Sequence, residues 1–284
     1  GATESAALAL SGRDIICSKV EHDAVTSWCA PKLSVDDFGM VEVTEPEYSA
    51  LQAANSETGI IQEPVEGIWL TDMTQAFGKL PIAFNWYGCT CAMISAHKIG
   101  GPKGVGALII KRGTDLAAQI RGGGQEMGRR SGTENILGIV GFGAAAEAAQ
   151  KDLLNGEWEK ILEFRMILEN TIEEFSDVPI LIGKDSNRLP NTTCLVTPGW
   201  KGETQVMQMD LEGIAVSAGS ACSSGKVRPS DVLKVMGLPD DQASCALRVS
   251  LGLETTREEV VRFADTWIKK FEYNLKRKNE NEGH

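Results

Sequence analysis

The chain has 284 residues, a formal net charge of −11 and 42% hydrophobic residues, the balance of a folded globular protein rather than a disordered one. Its length suits one large or two medium domains. Such acidity excludes a chain built to grip nucleic-acid phosphates or an anionic membrane surface, and no apolar stretch approaches the roughly 20 residues of a membrane helix.

In chain order, residues 2–11 read as a helix and 14–18 as a short buried strand. Strand patterns follow at 39–43, 67–71, 91–95 and 106–111, with helical patches at 46–53 and 74–79 between them. Strands alternating with helices predict an α/β domain with a largely parallel sheet. Residues 135–170 are helical, with Asn155-Gly156 as their weak point. Strands are expected at 180–182, 193–196 and 247–251, and a helix at 205–212. A short helix at 229–236 opens with Pro229 and closes before Gly237, and 257–275 form an amphipathic helix ahead of a solvated tail. We expect two domains, 1–150 and 151–284, the second α+β in pattern.

The opening GATESAALAL has no basic stretch of a secretory signal. The seven cysteines are odd in number and scattered, which predicts reduced thiols and a cytoplasmic location rather than a disulfide framework. Cys17 and Cys194 fall in predicted strands as small core hydrophobes. Cys89 and Cys91 have no second pair or nearby histidines, so no metal is expected.

The block SAHKIGGPKGVGAL at 95–108 carries the most suggestive chemistry. Ser95 and His97 can donate hydrogen bonds to an anion, and the Lys98 amine can form a Schiff base. Asp72 ends an apolar run, with Gln75 three residues on; a carboxylate there can pair with a protonated pyridine nitrogen. Cys222 lies in SAGSACSSGKVRPS, among small residues rather than the apolar neighbours of a core cysteine. Lys226 and Arg228 nearby favour its thiolate. Taken singly, Lys98 also reads as a solvated turn lysine, Asp72 as a loop or cap residue, and Arg248 as half of a strand-end ion pair.

Seven blocks change that reading by their order: GATES at 1–5, EHDAV at 21–25, TDMTQAFGK at 71–79, the block at 95–108, GGGQEMGRRSGTEN at 122–135, SAGSACSSGK at 217–226 and LRVSLG at 247–252. Together they resemble cysteine desulfurases of the NifS/IscS type, within the class V aminotransferase family. The length of the Cys222 loop and the lack of an RxGHHC-type context favour that branch. The resemblance implies the aspartate aminotransferase-like fold (fold type I), with a large mostly parallel sheet domain and a smaller C-terminal one. It implies pyridoxal 5'-phosphate (PLP) as cofactor, held covalently by Lys98. Asp72 would bond the pyridinium nitrogen, Gln75 the phenolic oxygen, and His22 would lie over the ring. Thr3, Ser95 and His97 resemble phosphate ligands, and Thr133 one supplied by a second subunit of a homodimer. Arg248 matches the guanidinium that grips the substrate carboxylate.

The implied reaction takes sulfur from L-cysteine, leaving L-alanine and a persulfide on Cys222 for an acceptor such as an iron–sulfur scaffold or a tRNA-thiolation protein. Three alternatives stay open: a class V transaminase, a selenocysteine lyase, and a truncated, non-catalytic remnant that dimerises or binds an acceptor. Ser56 stands where the family pattern has an asparagine that holds the ring oxygen and substrate carboxylate. The gaps from His22 to Glu57 and from Glu57 to Asp72 are short for the family. The pattern also expects several dozen residues ahead of GATES, so a chain lacking its N-terminal segment is expected.

Overall fold

The computed structural model describes residues 1–219 and 228–282. They divide into two compact units. One comprises 1–56 and 60–155, the other 57–59 and 156 onward.

The first unit opens with α1 (Ala2–Leu10), then β1 (Ile16–Ser18), α2 (Asp23–Thr26) and β2 (Ala30–Leu33). β1 and β2 pair in parallel. Next come β3 (Ala50–Gln52), β4 (Leu70–Asp72), β5 (Cys91–Ser95) and β6 (Gly106–Ile110), neighbours in that order. β3, β4 and β5 run parallel, while β6 is antiparallel to β5. A parallel bridge from Ile16 to Ser49 sets β1 beside the start of β3. Every residue of β3, β4 and β5 is buried, which explains why these strands read as unbroken apolar runs. α1 packs on β5 and β6, and its Ala6, Ala9 and Leu10 join Cys17, Leu70, Cys91 and Met93 in one core. α3 (Ile136–Leu154) closes the unit.

Three local expectations fail. Residues 39–43 form no strand, only one bridge from Val41 to Val35. The Asp36 carboxylate accepts from the amides of Phe38 and Met40 and bends the chain there instead. The patch 46–53 is a 3-10 turn, Pro46–Tyr48, followed by strand β3. Burial between its neighbours overrides the helix propensity of Ala-Leu-Gln-Ala. Residues 74–79 make overlapping turns rather than a helix. β2 went unanticipated; its Pro31 sits on an exposed edge, where a missing amide costs little.

The second unit contains α4 (Glu157–Phe175), β7 (Ile180–Leu181), β8 (Thr192–Val196), α5 (Gly202–Leu211), β9 (Ser217–Ala218), α6 (Asp231–Val235), α7 (Asp240–Ala243), β10 (Ala246–Ser250) and α8 (Arg257–Glu282). Its sheet is antiparallel in the order β7-β8-β10-β9. α4 and α8 pack together, and Trp200, Trp267 and Phe271 cluster with ring centroids 5.1–6.0 Å apart, Phe271 stacked on both tryptophans. Within this core Glu169 accepts from both terminal nitrogens of Arg188, at 2.9 and 2.8 Å, and from the Thr193 hydroxyl at 2.7 Å.

Candidate active site

Ligands of open α/β sheets bind beyond the carboxyl ends of the strands. In the first unit β4 ends on Asp72 and β5 on Ser95. The chain leaves Ser95 in a 3-10 turn, Ala96–Ile99, which carries His97 and Lys98, both exposed. Asp72 is buried, and its Oδ1 accepts from the Thr74 amide at 2.8 Å. Burial lifts its carboxyl above the usual range, while the hydrogen bonds from Thr74 and the charges of His22 and Lys98 pull it back. Asp72, His22 and Lys98 therefore share one electrostatic neighbourhood.

His22 caps α2: its Nδ1 accepts from the Ala24 amide at 3.0 Å. That assigns the proton of the neutral ring to Nε2. The Ser95 hydroxyl and His97 Nδ1 lie 2.8 Å apart. Partial burial, then the charges of Lys98, Lys103 and the chain terminus, lower the His97 pKa below its usual value.

The start of α1 reaches the same strand ends. Gly106 of β6 pairs with Ser95. A Cβ on Gly106 would lie 2.5 Å from the Ile94 carbonyl and 3.0 Å from Gly1, so only glycine lets α1 begin so close. This brings a helix N-terminus, the end that attracts anions, with Thr3 exposed in its first turn.

The turns 74–79 also meet the Lys98 turn. A Cβ on Gly78 would stand 2.8 Å from Ile99 Cγ2 and 3.0 Å from Ala149 Cβ. Gln75 is half-buried in this stretch.

The other expected residues come from other segments of the chain. Ser56 is half-buried beside Asn55, whose buried amide donates to the Val20 carbonyl at 3.0 Å. Thr133 is exposed and lines a groove of about 640 Å³ with Gly1, Gly106 and Arg130. Arg130 pairs with Glu4 at 2.8 Å. Arg248 belongs to the second unit, half-buried on β10 between Cys194 of β8 and Ser217 of β9. Cys222 lies outside the described residues.

Two ionisable groups near these strand ends went unanticipated. Glu21 is buried, its Oε1 accepts from the Gln52 amide at 2.7 Å, and burial pushes its carboxyl well above the usual range. Lys79, also buried, donates from Nζ to the Gln75 carbonyl at 2.7 Å. Burial, then the Lys98 charge, lowers its pKa to about 8. Only adjacency to His22 in EHDAV hinted at Glu21, and nothing in the pattern set Lys79 apart from a surface lysine.

A model of the family described as aminotransferase class-V matches residues 2–263. The chain belongs to the class V aminotransferase family. Within it, the chain falls with the cysteine desulfurases. It is 38% identical to a protein named cysteine desulfurase IscS from Dictyoglomus turgidum, over 89% of this chain and 71% of that one. It is likewise 38% identical to a cysteine desulfurase from Cereibacter sphaeroides, over 90% and 72%. Among solved structures, a NifS-like protein from Rickettsia africae superposes with a TM-score of 0.84 at 27% identity, over 95% of this chain and 80% of that one.

The family is PLP-dependent, and the first unit's side chains fit that group. Asp72 is a buried carboxylate suited to a cationic ring nitrogen, Lys98 an exposed amine suited to an aldehyde, and Ser95, His97, Thr3 and the start of α1 are donors suited to a phosphate.

Proposed function

We propose that this chain is a PLP-dependent cysteine desulfurase that moves the sulfur of L-cysteine onto Cys222. The shared neighbourhood of Asp72, His22 and Lys98 at the ends of β4 and β5 carries the reading, and the similarity to proteins named cysteine desulfurase supports it.

When bound, PLP supplies an electron sink for charge developing on the substrate Cα. Lys98 holds the cofactor through its Nζ and, once freed, takes the Cα proton on that nitrogen. Asp72 keeps the ring nitrogen protonated by offering it a buried anion. Ser95, His97 and Thr3 hold the phosphate, and Gln75 the phenolic oxygen. Arg248 receives the substrate carboxylate, with Ser56 assisting. The Cys222 thiolate attacks the substrate sulfur: an S–S bond forms, the C–S bond breaks, and the pair left on carbon takes a proton and ends in the methyl of L-alanine. The persulfide sulfur passes to an acceptor such as an iron–sulfur scaffold.

The first unit then serves as the cofactor domain and the second as the smaller domain carrying Cys222. A cytoplasmic setting suits the six cysteines of the described residues, all free thiols. A homodimer suits the exposed apolar start of α3, where Ile136, Leu137 and Val140 face solvent just beyond Thr133.

Borohydride reduction of the PLP-loaded chain followed by peptide mapping should place the pyridoxyl group on Lys98; finding it on Lys103 or Lys111 overturns the assignment. Cys222→Ser should keep the visible spectrum and lose sulfide release from cysteine. Release at the wild-type rate would remove Cys222 from the reaction.

A further inference from the structure

We propose that Lys79 is a positioning residue of the cofactor site: its buried ammonium, bonded to the Gln75 carbonyl, fixes the turn that aims the Gln75 side chain. This rests on the reading of the site as a PLP centre.

The backbone of this turn leaves a gap that Lys79 fills. The Met73 carbonyl accepts from the amides of Ala76 and Phe77, and the Ala76 carbonyl from those of Lys79 and Leu80. Among the described residues the Gln75 carbonyl accepts from no amide, only from Lys79 Nζ at 2.7 Å. The Gln75 side-chain amide makes no hydrogen bond among the described residues, so it is available to a ligand. Rotating the peptide plane of that carbonyl re-aims the side chain, because carbonyl and side chain hang from the same Cα.

A lysine is a costly choice for this task. Lys79 is 8% exposed, and the neutral Gln75 carbonyl is its side chain's one hydrogen-bond partner among the described residues. No carboxylate among them lies within ion-pair distance, and the Lys98 charge stands close enough to disfavour its own. Buried charges are ordinarily paired. A methionine would fill a similar volume without that penalty, so the donated bond and the charge are what distinguish lysine here.

The apo chain is titrated with PLP as wild type, Lys79→Met, Gln75→Ala and the double variant. Two quantities are read: the dissociation constant, and the visible absorption and circular dichroism of the bound cofactor at saturation. Visible circular dichroism reports the orientation of the ring among its ligands. We expect Lys79→Met to weaken PLP about tenfold, the equivalent of about 1.4 kcal/mol, and to change the dichroic band as Gln75→Ala does. The double variant should match Gln75→Ala alone, because Lys79 acts through Gln75. A Lys79→Met chain with the wild-type band and affinity overturns the proposal, and so does a double variant whose changes are the sum of the two singles. Should Lys79→Met fail to fold, Lys79→Gln is judged by the same criteria. A wild-type chain that forms no visible band with PLP overturns the cofactor reading instead.

Discussion

Among the described residues no cation is bonded to Asp72, and burial holds its carboxyl above the ordinary range. A raised carboxyl pKa contributes stability at low pH, below the unfolded value near 3.8, and that contribution is lost as pH rises through the folded value. Asp72→Asn keeps the acceptor for the Thr74 amide and removes the charge. At pH 7 the apo variant should therefore be more stable than wild type by about 1–3 kcal/mol, and the gap should close near pH 4. Urea midpoints of the two apo chains at both pH values check this. In the loaded enzyme the sign reverses: PLP should be held roughly ten- to a hundredfold more weakly by the variant. A variant that gains no stability at pH 7 would mean the carboxylate is already compensated. Asp72, Ser95, His97 and Lys98 stood out in the sequence because their residue types sit at ends of apolar runs, where a strand delivers them to one edge. Glu21 and Lys79 did not. Their character comes from Gln52 and Gln75 backbone atoms and from burial, which only the folded chain assembles.

At the scale of elements, the buried strands β4 and β5 were legible as apolar runs, and the break between α3 and α4 as Asn155-Gly156, where Gly156 is left-handed with φ 74°. Two of the three failures share a cause. Residues 46–53 and 74–79 carry helix-favouring composition in stretches too short to decide their own conformation, so sheet pairing and turn bonds decided it. Gly106 is the element-level position on which the site depends most, since α1 begins against it. Gly106→Ala should force β6 or α1 to move and destabilise the chain by about 1–3 kcal/mol, with PLP affinity falling alongside. A lowered urea midpoint at unchanged m is the expected record; an unaltered midpoint would show that Ile94 and Gly1 give way freely.

The molecule as a whole is strongly acidic, at −11, so two copies repel at long range and a dimer must be held by local apolar contact. The first turns of α3 offer such a surface, with Leu137 88% exposed and Val140 65%. On the proposed reading of a homodimer in which Thr133 serves the neighbour's phosphate, Leu137→Asp should give a monomer in sedimentation velocity and weaken PLP retention. A dimer that survives the substitution excludes this face from the interface.

Neither compact unit is one continuous stretch of chain, because residues 57–59 count with the second. The Gly59 carbonyl accepts from the Leu189 amide at 2.8 Å, and the Glu57 carboxylate accepts from the Ser230 hydroxyl 173 residues further on. On a ribosome adding 5–20 residues per second, roughly 9–35 s separate the synthesis of Glu57 from that of its partner. For that interval the first unit can build its sheet, but the Gly59 carbonyl and the Glu57 carboxylate still wait for Leu189 and Ser230. A nascent chain stalled before Leu189, or a gene split between the units, would strand them. The second unit expressed from Gly156 onward lacks both bonds and should for the same reason unfold at a lower urea concentration than it does in the full chain.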